Sequence, residues 1–148
     1  MNHWIFQANP DRYRLQDRLC NPNPEISWRT SRYRDEIFPG DRAYVWQSGK
    51  NRGLCATLKV ETAPEEMHEL SSELRYATDR QIAAPCWRVL ATIESRFPII
   101  PAAELRATPG LESLSIFGGF LQATNFRLTP QESKILDAII SAKLKAGE

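Results

Sequence analysis

Two strand-like runs joined by a polar turn indicate that this chain forms an antiparallel sheet. In Ala43–Gln47 successive side chains alternate between two faces, which places Tyr44 and Trp46 on the same face. Leu54–Val60 is a second run of strand-forming residues. Residues 48–53 between them contain two glycines and two basic residues. The segment therefore predicts a β-hairpin with a basic tip.

The clearest helix signal lies near the C-terminus. Thr129-Pro130-Gln131-Glu132 has the form of a capping box with proline in the first helical turn. Apolar residues at helical spacing follow it, namely Ile135, Leu136, Ile139, Ile140 and Leu144. We therefore predict an amphipathic helix whose apolar stripe packs against the rest of the protein.

The remaining patterns are short and scattered. Met67, Leu70 and Leu74 indicate a helix within residues 61–80, and the adjacent Gly118 and Gly119 indicate a bend. Further strands are predicted at Trp4–Gln7, Ile26–Trp28, Trp87–Ile93 and Gln122–Phe126, and short helices at residues 11–19 and 102–106. Because no βαβ rhythm is present, the fold class is α+β, with a small, curved, mostly antiparallel sheet or barrel and helices packed outside.

Composition narrows the class of protein. The chain has 148 residues, of which 42% are hydrophobic and 25% charged, so one domain spanning residues 1–148 is expected. No apolar run approaches the ~20 residues of a membrane-spanning helix, and the N-terminus lacks a signal-peptide pattern, so we expect a cytoplasmic protein without a membrane partner. Three separated cysteines and two histidines predict neither a disulfide framework nor a zinc site, and we expect no cofactor.

Charge is distributed unevenly along the chain. Residues 1–60 contain ten Lys/Arg against six Asp/Glu, and residues 61–148 contain nine against twelve. Fourteen of the nineteen basic residues are arginine, whose planar guanidinium group suits phosphate groups and stacks on bases. This pattern is compatible with nucleic-acid binding, and equally with an ordinary solvated surface.

Motifs of common enzymes are absent from the sequence, whereas the tryptophans are informative. The chain contains no GxSxG, no Walker-type loop and no GxGxxG motif. Trp28 and Trp46 each lie near a serine and near arginine-rich segments, whereas Trp4 and Trp87 have aliphatic neighbours typical of packing residues. Two interpretations of Trp28 and Trp46 remain open: both belong to the core, or they face each other and sandwich a planar base.

Four segments in order resemble the EVE domain, a PUA-like family related to YTH and ASCH domains. They are Trp4–Pro10, Ile26–Trp28 followed by Arg32-Tyr33-Arg34, Pro39–Gly49, and Phe126–Glu132. The resemblance implies a curved sheet flanked by helices and a non-enzymatic pocket that accepts a flipped, modified base. It further implies a separately encoded nuclease or modification enzyme as partner.

The resemblance also assigns candidate site residues. It implies that Trp28, Trp46 and Ser48, with Ser27, form the modified-base pocket, and that the amides of Asn9 and Gln122 read the base edge. Arg32, Arg34, Lys50 and Arg52 would contact the nucleic-acid backbone. Trp46-Gln47-Ser48 stands where the eukaryotic members carry Tyr-His-Ser, and resembles instead the variant found beside methylation-dependent restriction enzymes. That variant implies modified cytosine in DNA, either 5-methylcytosine or 5-hydroxymethylcytosine.

Three alternatives remain at this point. The first is binding of modified RNA rather than DNA. The second is an ASCH-like hydrolase of acylated cytidine, for which Lys50 and Glu36 are the basic and acidic residues nearest to hand. The third is a protein-interaction module whose pocket has no ligand.

Overall fold

The computed structural model describes residues 1–78, 84–118 and 122–147. Among these residues are seven strands: β1 (His3–Ala8), β2 (Glu25–Arg29), β3 (Arg42–Gln47), β4 (Gly53–Val60), β5 (Glu65–Met67), β6 (Cys86–Pro101) and β7 (Asn125–Leu128). The helices are α1 (Leu15–Cys20), α2 (Ala102–Arg106) and α3 (Pro130–Ala146), with 3₁₀ turns at Ser71–Tyr76 and Ser115–Gly118.

The strands form one open sheet in the order β2-β6-β4-β3-β1-β7, with β5 paired to β6. β1 and β3 pair in parallel, and every other ladder among the described strands is antiparallel. The predicted α+β class with a mostly antiparallel sheet, short helices and a C-terminal helix is therefore confirmed. The predicted hairpin is β3 and β4, and β1 lies between β3 and β7.

The buried side chains of β3 point alternately to two sides of the sheet and belong to two hydrophobic clusters. Ala43 and Val45 belong to the first cluster, together with Trp28 from β2. Tyr44 and Trp46 belong to the second cluster, which is packed against α3. Because neighbouring side chains of a strand point to opposite faces, these clusters lie on the two sides of β3.

Helix α3 closes the second cluster as the sequence predicts. The Thr129 side chain accepts a hydrogen bond from the Glu132 backbone, and the Glu132 side chain accepts one from the Thr129 backbone, which completes the capping box. Leu136 and Ile140 are buried in the cluster, whereas Leu144 at the end of the predicted stripe is exposed.

Several local predictions were wrong. Met67 lies in β5 rather than in a helix, and the 3₁₀ turn Ser71–Tyr76 contains Leu74 with an exposed side chain. Trp87, predicted to be a packing residue, has 38% of its surface exposed; it is the second residue of β6 and pairs with Glu66 of the short strand β5. Of the predicted glycine bend, Gly118 ends a 3₁₀ turn, and Gly119 lies outside the described residues.

The two ends of the sheet approach each other through side-chain bonds. The Asn125 side chain at the start of β7 accepts from the Ser31 backbone N–H at 2.8 Å and donates to the Arg29 carbonyl at 3.2 Å. These bonds hold the segment at the end of β2 beside β7 without forming a ladder. In the described ranges, no helix is both long and apolar enough to cross a membrane.

Candidate functional site

A cavity of about 320 Å³ opens between the two edge strands of the sheet. Its lining includes Ser27, Trp28 and Arg29 of β2, the end of β1, and residues 122–124 before β7. Such a volume lies within the range of small-molecule sites. We refer to this cavity as the Trp28 pocket.

Trp28 is the largest aromatic residue of the pocket wall. Only 5% of its surface is exposed, and its ring stacks on Phe6 with centroids 6.0 Å apart and planes inclined by 24°. The contact with Phe6 fixes the indole within the first hydrophobic cluster while the residue lines the cavity. Trp28 therefore contributes both to the hydrophobic cluster and to the lining of the pocket.

A buried polar network lies on the same side of the pocket. Ser27 Oγ donates to Glu69 Oε1, and Arg88 Nη1 forms an ion pair with Glu69 Oε2 at 3.0 Å. The side chains of Arg88 and Glu69 are only 2% and 5% exposed. A buried ion pair in this environment is held in one geometry by its additional hydrogen bonds. The network supplies the pocket with a fixed carboxylate.

Amide and phenol groups line the opposite side. Gln7 Nε2 donates to the Ala123 carbonyl at 2.7 Å, and Asn9 Oδ1 accepts from the Asp11 backbone N–H at 2.9 Å. The Tyr13 hydroxyl donates to Glu73 at 3.0 Å. Burial, assisted by the nearby Glu73 carboxylate, raises the pKa of Tyr13 well above its usual range. Tyr13 therefore remains a neutral phenol at physiological pH.

The charge of the lining is positive. Among the described residues, three arginines and one glutamate line the cavity, a formal surplus of two positive charges for that part of the lining. Arg88 is buried and forms an ion pair with Glu69, and Arg12 and Arg29 are exposed residues of the lining, which we call its mouth. An anionic ligand would therefore be attracted to the entrance and not to the floor.

The predicted slot between Trp28 and Trp46 was wrong. Trp46 is 2% exposed, packs edge-on against Phe117 with ring centroids 5.9 Å apart, and belongs to the second hydrophobic cluster. The two indoles are therefore separated by the sheet. Ser48 is not among the described lining residues; its backbone N–H and Oγ both donate to the carbonyl of Ala8, which does line the pocket.

Three of the predicted site residues other than Trp28 occur in the lining of the pocket. Ser27, Asn9 and Gln122 line the Trp28 pocket together, although they are far apart in the chain. Asn9 and Gln122 are exposed, and Ser27 is buried. The structure thus brings these three residues and Trp28 to one place.

The four predicted backbone-contacting residues divide into two locations, and none belongs to the described lining of the pocket. Arg32 Nε donates to the Asn125 carbonyl at 2.7 Å, and Arg34 lies with its guanidinium 5.1 Å from the Trp87 ring centroid. Lys50 and Arg52 line a separate groove beside α2. The two basic residues of the hairpin tip therefore lie outside the described lining of the Trp28 pocket.

Sequence reasoning missed seven polar residues of the pocket lining: Gln7, Arg12, Tyr13, Arg29, Glu69, Arg88 and Thr124. Gln7 ends the first predicted strand and Arg12 and Tyr13 follow it, so proximity to Asn9 was an available signal. Glu69 belongs to an acidic segment that is typical of a solvated surface, and nothing in the sequence indicates its burial. Among the described residues, no cluster of three metal-ligating side chains occurs.

Comparisons with known proteins agree with this fold. A protein-family model described as EVE domain matches residues 2–139. The fold is similar to a hypothetical protein from Leishmania major, with TM-score 0.68 and 13% identity over 100% of this chain and 98% of that chain. No curated protein matches the sequence.

Two further solved structures are similar to this chain in fold. The human THYN1 protein, solved in complex with 5-methylcytosine-containing DNA, has TM-score 0.63 and 16% identity over 94% of this chain and 97% of that chain. A mutant of the ZmASCH protein from Zymomonas mobilis has TM-score 0.56 and 13% identity over 93% and 96%. At these identities the two structures establish a shared fold.

Proposed function

Because the chain belongs to the EVE domain family, we propose that it is a non-enzymatic nucleic-acid-binding module that holds one extruded base in the Trp28 pocket. The observation that carries this proposal is the pocket itself. It combines an aromatic wall, hydrogen-bonding groups and a positively charged mouth within about 320 Å³. These are the elements by which proteins bind a base that has left its stack.

We propose modified cytosine in DNA as the ligand, with 5-methylcytosine and 5-hydroxymethylcytosine as the leading candidates. The THYN1 structure with 5-methylcytosine-containing DNA supports this proposal through its shared fold. The Trp46-Gln47-Ser48 run supports it through its resemblance to the variant linked to modified DNA. A modified RNA base is the alternative ligand.

The energetics assign separate roles to the pocket and its mouth. Extruding a base costs a few kcal/mol, and stacking on an aromatic side chain returns about 1–3 kcal/mol. Stacking on Trp28 would thus only offset extrusion, so phosphate contacts must supply most of the affinity. Arg12 and Arg29 are exposed arginines of the described pocket lining, and we assign them this role in place of Lys50 and Arg52.

The hydrolase alternative has weaker support. Its two proposed residues do not converge, because Lys50 lines the groove beside α2 whereas Glu36 pairs with Arg127 at 3.0 Å. The ZmASCH likeness supports the shared fold. A module without chemistry of its own acts through a partner, and we propose a separately encoded nuclease or modification enzyme.

A titration of matched strands tests the proposal. Fluorescence anisotropy would follow labelled DNA strands that differ at one position: cytosine, 5-methylcytosine or 5-hydroxymethylcytosine. Burying one methyl group is worth about 0.8 kcal/mol, so we expect the Kd for 5-methylcytosine to be about fourfold lower than for cytosine. Identical isotherms for all strands would contradict base reading.

Two further arms separate the alternatives. The same strands made as RNA test the choice of nucleic acid, and tighter binding of the RNA set would overturn the assignment to DNA. Incubation with N4-acylated cytidine tests for catalysis. Release of free acid in proportion to protein concentration would contradict a non-enzymatic module.

A further inference from the structure

The Glu69 carboxylate is the one acidic group that lines the Trp28 pocket among the described residues. Its Oε1 accepts from Ser27 Oγ and from the Leu70 backbone N–H, the latter at 2.9 Å. Its Oε2 accepts from Arg88 Nη1 at 3.0 Å. The donors come from three different segments, so the position of the carboxylate is fixed before any ligand enters.

The hydrogen-bond acceptor capacity of the Glu69 carboxylate determines which ligand groups it can bind. A carboxylate offers about four lone-pair directions and has no proton to donate when it is ionised. The described residues supply three donors to Glu69. Of the donors in the described part of the chain, these three leave about one acceptor direction of Glu69 within the cavity, and its complement is an N–H or O–H group of the ligand.

The bases differ in whether their edge offers a hydrogen-bond donor to this carboxylate. Cytosine carries an exocyclic amino group at N4, which donates, whereas thymine and uracil carry a carbonyl oxygen at O4, which accepts. A carbonyl placed against the Glu69 carboxylate would leave two acceptors facing each other in a desolvated site. Such a site discriminates strongly, because its buried polar groups would be left unpaired.

We infer that Glu69 is the specificity-determining residue of the pocket, accepting a hydrogen bond from the exocyclic amino group of the bound base. This inference rests on the proposed function and goes beyond it, because it names the group that separates cytosine from thymine. Ser27 and Arg88 are then positioning residues that hold the carboxylate through the bonds described above.

The comparison of 5-methylcytosine with thymine tests this directly. Both bases have the same ring shape and the same methyl group, and they differ at the amino or carbonyl group and at the adjacent ring nitrogen. In anisotropy titrations of otherwise identical DNA strands, we expect 5-methylcytosine to bind at least about tenfold more tightly than thymine. Equal binding of the two strands would overturn the inference.

The variant Glu69→Gln locates the discrimination. The amide keeps the shape of the side chain and an oxygen for Arg88, but it can present either an acceptor or a donor to the base. We expect the preference for 5-methylcytosine over thymine to fall to within about threefold. A Glu69→Gln protein that retains the full preference, with an unchanged circular dichroism spectrum, would overturn the inference.

A matched control and a second variant keep the test decisive. Glu66→Gln makes the same chemical change at an exposed position on β5 and should leave the preference unchanged. Ser27→Ala removes one positioning bond and keeps the carboxylate, so a partial loss of preference is expected. A loss of preference in Glu66→Gln equal to that in Glu69→Gln would contradict the assignment.

Failure of this inference is distinguishable from failure of the proposed function. If 5-methylcytosine and cytosine bind identically, the proposed reading of modification fails. If 5-methylcytosine binds more tightly than cytosine but no more tightly than thymine, the pocket reads the methyl group and Glu69 does not read the edge.

Discussion

Trp28 and Trp46 show how the same side chain acquires different roles from its surroundings. Both indoles are nearly fully buried, yet only Trp28 lines the pocket, and Trp46 packs in the cluster beneath α3. Replacing each with leucine is therefore a matched pair of changes, since each removes a buried ring of the same size. We expect both variants to be less stable than the parent protein by a few kcal/mol.

Only the change at Trp28 should weaken nucleic-acid binding. Loss of base stacking is worth about 1–3 kcal/mol, so Trp28→Leu should raise the Kd for the 5-methylcytosine strand at least about fivefold. Trp46→Leu should leave that Kd within about twofold of the parent value. The measurement is an anisotropy titration at a temperature where circular dichroism shows both variants folded, and equal weakening in the two variants would contradict the assignment.

His3 links stability to pH. Burial lowers the pKa of His3 below its ordinary value of 6.5, and its Nδ1 lies 2.9 Å from Ser133 Oγ on α3. The unfolded chain therefore binds more protons than the folded protein near this pH, so stability is lost as pH falls through about 6.5. We expect the Tm to drop between pH 7.5 and 5.5, and to drop less in His3→Gln. A Tm that rises over this interval would contradict the assignment.

At the scale of elements, the fold follows from patterns that the sequence displays locally. The alternation in Ala43–Gln47 and the capping box at Thr129 both predict the elements that are observed. The sixteen-residue strand β6 was predicted only in part, because Pro98 is unfavourable within a strand. In the structure, Pro98 lies in the register shift between Arg96 and Ile100, where the regular β4 ladder is interrupted.

The capping box of α3 provides a test at this scale. Thr129→Ala removes the side-chain oxygen that accepts from the Glu132 backbone, and loss of such a cap costs about 1 kcal/mol. We expect the free energy of unfolding in urea to fall by about that amount. Ser113→Ala also removes a hydroxyl, but at an exposed position outside the helices and strands, so it is the control and should cause no measurable change. Equal losses of stability in the two variants would contradict the role of the cap.

At the scale of the whole molecule, the site depends on contacts that no local pattern encodes. The sequence predicted Trp28, Ser27, Asn9 and Gln122 for the pocket, all of which line it. It failed at Trp46, because the face that each strand turns inward is set by the pairing of distant strands. It missed the Arg88–Glu69 ion pair, because only the complete fold brings residues nineteen positions apart into a buried contact.

The distribution of charge predicts how binding responds to salt. Arg29 is exposed at the mouth of the pocket, and each phosphate contact contributes about −0.7 to the slope of log K against log[salt] for single strands. Arg29→Gln should weaken binding of all strands alike and make this slope shallower by about that amount. Lys134→Gln on α3, exposed and outside the pocket lining, should not change the slope. An unchanged slope in Arg29→Gln would contradict the assigned contact.

The central claim is that one extruded base occupies the Trp28 pocket, and the indole N–H resonances of the four tryptophans report on it directly. In ¹⁵N-correlated NMR spectra, assigned by single substitutions, a DNA strand with one 5-methylcytosine would be added to the protein. We expect a clear shift of the Trp28 resonance at saturation and no comparable shift of Trp46. A shift of Trp46 without Trp28, or an unchanged Trp28 resonance in the saturated complex, would contradict the claim.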